Sequence, residues 1–135
     1  MSRWVFTRDE AILLMCLYFE FDFLNFDDKD SEHLNLRVSN YSSIFRIMNT
    51  HNVNLDLHPN YRNFNGIFLQ IQSIRHYHLT IEGYEPHGIK NSSQQFKNLL
   101  FDALNGKISL PNEKSRILEK LVLDKYSESL SDIEF

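Results

Sequence analysis

Only one cysteine, Cys16, occurs in the chain, so no disulfide can form within it and a cysteine-based zinc site has no ligand set. A reducing, cytoplasmic setting is the expected one. Glycine and proline are scarce, at four and three residues. That is too few for the many tight turns of an all-β fold. No apolar run is longer than the nine residues Ala11–Phe19, which is too short to span a bilayer. The preceding Arg8-Asp9-Glu10 is the wrong charge pattern for a signal peptide. Glycine-rich phosphate loops are missing, as is the GxSxG of a nucleophile elbow. His51 is followed by Asn52 and His58 by Pro59, and neither fits an HNH nuclease core, which needs an Asp-His pair and a metal-binding histidine. Asp27-Asp28-Lys29-Asp30 lacks the glycine and the terminal glutamate of a calcium loop. Its placement on a loop is poor for positioned acid–base chemistry. The sequence therefore offers no catalytic residue, no metal ligand set and no cofactor motif, and catalysis by this chain alone is not expected.

What is present suits one helical domain. The chain has 135 residues, is 42% hydrophobic, and carries 11 Phe and 6 Tyr, enough to build a core. Thr7-Arg8-Asp9-Glu10 fits a capping box and opens a helix to about Glu20. That helix is apolar nearly all round, which places it at the centre of the fold. Trp4 and Phe6 are positioned to pack at its start, and Cys16 reads as a small core residue. Residues 21–32 are acidic with interleaved aromatics, and Asp27-Asp28-Lys29-Asp30 within them reads as an exposed loop. Ser39 reads as the cap of a second helix over 40–49, and Asn63 as the cap of a third from Phe64 to about Arg75. A long polar connector between them makes the centre only loosely trihelical, a relaxed form of a helix-turn-helix. His76 and His78 share a face only if that stretch is extended. Residues 80–90 read as a loop. Asn91 or Ser92 then caps a fourth helix to about Asn105, with Gly106 in the C′ position. Pro111 lies in the first turn of a fifth. The expectation is an all-α fold, about five helices around a buried first helix, with a single domain over 1–128 and an acidic tail at 129–135.

Net charge is −4 at pH 7. The distribution is uneven. Residues 33–110 carry seven Lys/Arg, four Asp/Glu and all six His, between acidic flanks at 20–32 and at the C-terminal end. Within this centre, Tyr61-Arg62-Asn63-Phe64-Asn65-Gly66-Ile67 places a guanidinium beside a capped helix start. Free N–H groups, a positive dipole end and Arg62 would converge there, which suits an anion such as phosphate.

Several pieces together resemble the N-terminal module that precedes the HNH nuclease domain in many bacterial restriction-type HNH endonucleases. They are Trp4-Val5-Phe6-Thr7-Arg8-Asp9-Glu10, the helix Ile12-Leu13-Leu14-Met15-Cys16-Leu17-Tyr18-Phe19, and Ser39-Asn40-Tyr41. The Arg62-Asn63-Phe64-Asn65-Gly66-Ile67 motif, Gly88-Ile89 and two closing helices complete the likeness, over roughly residues 4–125. Phe64 stands where that family usually has proline, so preorganisation at the first helical position is lost. These 135 residues carry no HNH nuclease core. The resemblance implies DNA recognition rather than cleavage, in a restriction, defence or phage setting.

Two readings follow. In the first, the chain is a double-stranded-DNA-binding module, on plain or modified DNA, alone or with a nuclease domain or subunit. Arg62 meets a phosphate or a guanine, Asn63 or Asn65 a base edge, and Arg46, Arg75 and Lys90 the backbone. The competing roles of these residues are structural: Arg62 paired with a carboxylate, Asn63 as a cap, and Asn65-Gly66 as a place for close helix packing. In the second reading the acidic segments bind a basic, nucleic-acid-binding protein, as an inhibitor or anti-defence protein would.

Overall fold

The computed structural model describes residues 4–84 and 93–121. Within them lie five α-helices: α1 (Arg8–Tyr18), α2 (Ser31–Met48), α3 (Phe64–Ile81), α4 (Gln94–Leu104) and α5 (Leu110–Leu121). Two short 3-10 turns, Phe23–Asn25 and Asp28–Asp30, join α1 to α2. The described residues contain no strand, as the scarcity of glycine and proline led one to expect.

α1 is the hub. Every residue from Glu10 to Tyr18 is buried, and the helix packs against each of the other four. Its start is fixed as the sequence indicates: Glu10 N–H donates to Thr7 Oγ1 (3.2 Å) and Thr7 N–H to Glu10 Oε1 (2.9 Å). Phe6 does not fold back on α1 alone. It wedges between Phe45 of α2 and Phe96 of α4.

Four pairs of contacts set the directions. α3 runs parallel to α1, because Arg62 meets Glu10 near their starts and His78 meets Tyr18 farther along both. α4 also runs parallel: Gln95 bonds Phe6 O, while Leu104 and Phe19 share one hollow. α2 is antiparallel, with Arg37 against Glu20 and Phe45 against Phe6. α5 is antiparallel too, with Leu110 O beside Cys16 Sγ and Leu121 in one cavity with Thr7. The bundle therefore has a first end, where α1, α3 and α4 begin and α2 and α5 finish, and a second end with the opposite arrangement.

Several boundaries differ from the sequence reading. Ser39 is no cap; α2 starts eight residues earlier, at Ser31. The aspartates before it are not a slack loop. Asp27 accepts from Lys29 N–H, and Asp30 accepts from Asp27 N–H, closing a reciprocal cap on the second 3-10 turn. That turn feeds straight into α2, where Leu34, Val38, Tyr41 and Phe45 continue one buried stripe at helical spacing. α3 extends past Arg75 to Ile81 because Ile74, His78 and Leu79 remain on its buried face. α4 is capped by Ser93, whose hydroxyl accepts from Phe96 N–H (3.1 Å), rather than by Asn91 or Ser92. Gly106 takes the left-handed position (φ 71°) after α4, as its place in the sequence suggests. Lys90, Gly88-Ile89 and the acidic tail from 129 onward lie outside the described residues.

Candidate functional site

The start of α3 forms as its sequence dictates. Asn63 is extended (φ −73°, ψ 174°), and its Oδ1 accepts from Gly66 N–H at 2.8 Å. Gly66 is not there for close helix packing. A Cβ at Gly66 would meet Asn63 Oδ1 at 3.1 Å and no neighbouring helix, so the glycine makes room for the cap itself. Asn65, next along, is exposed.

Arg62 is buried. Its Nε lies 3.0 Å from Glu10 Oε2 and its Nη2 3.2 Å from Glu10 Oε1, a two-pronged pair with a wholly buried carboxylate. Nη2 also donates to Val5 O (3.3 Å), and the guanidinium lies 3.8 Å above the Phe6 ring. Its backbone is left-handed (φ 49°), and its carbonyl accepts from Ser42 Oγ at 2.6 Å. Arg62 is thus held in the core, where it neutralises the wholly buried carboxylate of Glu10. It does not form an arm around the α3 N-terminus.

Arg46 takes that place. It leaves the last turn of α2, and its Nη1 donates to Pro59 O (2.9 Å) and Tyr61 O (2.6 Å) in the segment leading into α3. It forms no ion pair among the described residues, and its Nε and Nη2 are not used in those bonds. The positive charge is therefore fixed beside the start of α3 and uncompensated among the described residues. Arg75 is not part of this group. It lies eleven residues into α3, roughly 16 Å along the helix, over the rings of Phe23 and Phe26 near the second end. The structure therefore gathers Arg46, Arg62, Asn63 and Asn65, and leaves Arg75 elsewhere.

Beside this group is a crevice of about 250 Å³ lined by Trp4, Phe6, Asn60, Tyr61, Arg62, Gly66 and Gln70. Trp4 meets His58 and Tyr61 edge to face. The Tyr61 hydroxyl is buried with no hydrogen-bond partner among the described residues.

Charge is divided between the two ends. The first end carries Arg8, Arg46 and Lys120 without carboxylate partners among the described residues, against Asp56 and Glu119; Asp9 is taken by Arg116 (2.9 Å) and Glu10 by Arg62. The second end carries Asp22, Asp27, Asp28, Asp30, Glu32, Glu82 and Asp102 against Lys29, Arg75 and Lys107. It also holds a partly buried network. Arg37 pairs with Glu20 (2.7 Å), Tyr41 Oη donates to Glu20 (2.8 Å), and Lys114 Nζ donates to Tyr41 Oη (3.0 Å). Burial alone would raise the Glu20 carboxyl; the bonds from Arg37 and Tyr41 outweigh it and hold the group below its ordinary value. Nothing in the sequence signals this network except the apolar spacing that places Arg37 and Tyr41 on one face of α2.

Other polar groups are structural. Burial pushes the Cys16 thiol up to about 11, so it is not a nucleophile at neutral pH. His76 and His78 lie within α3 and do not share a face. Tyr18 Oη is 2.6 Å from His78 Nδ1, and burial lowers the His78 value although Glu82 and Asp22 oppose it. Among the described residues, no three His, Cys, Asp or Glu side chains are grouped to hold a metal. No helix among them is long and apolar enough to cross a membrane. Comparison with protein families, with characterised proteins and with solved structures gave no match.

Proposed function

We propose that this chain is a DNA-binding module that docks the first end of its bundle, centred on the start of α3, onto duplex DNA. The observation that carries the proposal is Arg46: a guanidinium held by two backbone carbonyls at the entry to α3, with no carboxylate among the described residues to neutralise it. A cation fixed in this way meets a phosphate without losing further side-chain freedom. Asn65, exposed in the first turn of α3, presents an amide able to read a base edge or bond a phosphate. The uneven charge supports the same orientation, since an acidic second end is repelled by DNA and turns the first end toward it. Arg62 and Asn63 contribute by holding α3 in place rather than by touching DNA. The restriction, defence or phage setting rests on the sequence resemblance over roughly residues 4–125 alone.

The test is duplex binding at low salt, to plain and to base-modified DNA, by the wild type, Arg46→Ala, Asn65→Ala and Lys29→Ala. Weaker binding by the first two variants and unchanged binding by Lys29→Ala is the expected result. Failure of the wild type to bind any duplex, or an equal loss in Lys29→Ala, overturns the proposal.

A second reading, an acidic module for a basic protein partner, draws support from the second end. Two adjoining hollows of about 250 and 370 Å³ share Phe19, Leu110 and Pro111 there, with Phe19 and Leu104 partly exposed. Phe19→Ser separates the readings: it leaves duplex binding intact under the first and abolishes capture of a basic amphipathic peptide under the second.

A further inference from the structure

A cavity at the first end plays no part in the group around Arg46. It measures about 440 Å³ and lies between the start of α1 and the ends of α2 and α5. Thr7, Arg8, Asp9, Met48, Thr50, Ile117, Lys120 and Leu121 line it. Met48, Ile117 and Leu121 are its buried apolar residues; Arg8, Thr50 and Lys120 are exposed. Asp9 is its one acid, bonded to Arg116, which also reaches Glu113 at 3.3 Å. Arg8 and Lys120 have no such partner among the described residues, and Thr50 forms no hydrogen bond there.

We propose that this cavity is a phosphate subsite, with Arg8 and Lys120 as its charges and Thr50 as a hydroxyl donor. The assignment rests on the DNA-binding reading and extends its footprint. Met48 and Arg46 are two positions apart on α2 and so point to different sides of it. Arg46 faces the segment entering α3, and Met48 faces this cavity. Two sets of cations thus flank the end of α2, and one duplex backbone crossing that end meets both. One phosphate neutralised here releases about one further counterion, which the salt dependence of binding reports directly.

Two measurements on the whole chain test the subsite. In the first, the log–log salt slope of duplex binding is compared for the wild type, Arg46→Ala and Arg8→Ala/Lys120→Ala. The double variant is expected to lower the slope by about one unit, a single phosphate contact being worth about 0.9. In the second, inorganic phosphate is titrated into labelled protein while the amide resonances of Thr7–Asp9 and Thr50 are followed. Shifts at these residues that vanish in the double variant support the subsite independently of DNA. If the wild type binds no duplex but the phosphate shifts appear, the DNA reading falls and the cavity takes a small phosphate. If Arg46→Ala lowers the slope, the double variant does not, and phosphate moves none of these amides, the subsite is wrong while the DNA reading stands. Thermal unfolding of the double variant, with both side chains exposed, is expected to match the wild type.

Discussion

Arg62 keeps a left-handed backbone (φ 49°) although it is not glycine, and its guanidinium is buried on Glu10. That conformation is uncommon for a residue with a side chain and persists only where surrounding contacts enforce it. Here they are the Glu10 pair, the Phe6 ring, Val5 O and the bond from Ser42 to its carbonyl. Removing one partner of a buried pair leaves the other charged and uncompensated. Arg62→Ala is therefore expected to destabilise the fold by about 3–5 kcal/mol, measured by urea unfolding. Arg62→Lys should recover only part of this, because an ammonium cannot form the two-pronged bond or stack on Phe6 as a guanidinium does. A loss of under 1 kcal/mol in Arg62→Ala would show that the pair is not formed. This residue also marks the limit of what the sequence tells. A cation next to a helix start reads equally well as an anion-binding arm or as a paired core residue. Glu10 was recognisable as half of a capping box, but its second role was not. The available hint is a general one: an acid on a helix that is apolar all round must find a cation.

At the scale of elements, local signals did well where the chemistry is local. Thr7, Asn63 and Gly106 act where their residue types and spacing place them. Asn63→Ala is expected to cost about 1 kcal/mol of stability, through loss of the Gly66 cap bond, with little change in the fold. Circular dichroism and thermal unfolding check both parts; an unchanged midpoint would mean the cap is idle. Gly66→Ala sets a gain against a loss. Alanine favours a helix by about 1 kcal/mol over glycine, but its Cβ crowds the cap oxygen at 3.1 Å. The two effects should nearly cancel, and a clear stabilisation in the same unfolding assay would show that Asn63 moves aside freely. Where the signals failed, tertiary packing had decided. Ser39 looked like a cap because serine is a good one, yet the buried stripe from Leu34 to Phe45 carries α2 straight through it. The sequence ends α3 at about Arg75 and leaves His76-Tyr77-His78 open between helical and extended, whereas the helix continues to Ile81. His78 is in fact buried, satisfied by Tyr18, a partner sixty residues away that no local pattern reveals.

For the whole molecule, burial and charge separation lead to testable behaviour. His78 has a value below its ordinary 6.5 in the folded state, from burial, so the unfolded chain binds that proton more readily. Its contribution to stability is therefore complete above about pH 6.5 and is lost as pH falls below it. Glu20, also lowered, adds a second loss as pH falls below its ordinary value of 4.5. The midpoint of thermal unfolding should drop from pH 7.5 to 5.5, and the drop should shrink in His78→Gln. An equal drop in that variant would assign it to other groups. The separation of an acidic second end from a first end with Arg8, Arg46 and Lys120 was only half legible in the sequence. The acidic cluster at 20–32 is visible as a run, but which cations remain unpaired depends on Arg62, Arg37 and Arg116 finding carboxylates through the fold.

That separation underlies the account of DNA docking, and the salt dependence of duplex binding tests it most directly. A log–log plot of affinity against salt should be linear with a slope of several units, reduced by about one in Arg46→Ala. Arg62→Ala, compared at a temperature where it remains folded, should keep the wild-type slope. A wild type that binds no duplex at low salt, or a slope that falls in Arg62→Ala and not in Arg46→Ala, would contradict it.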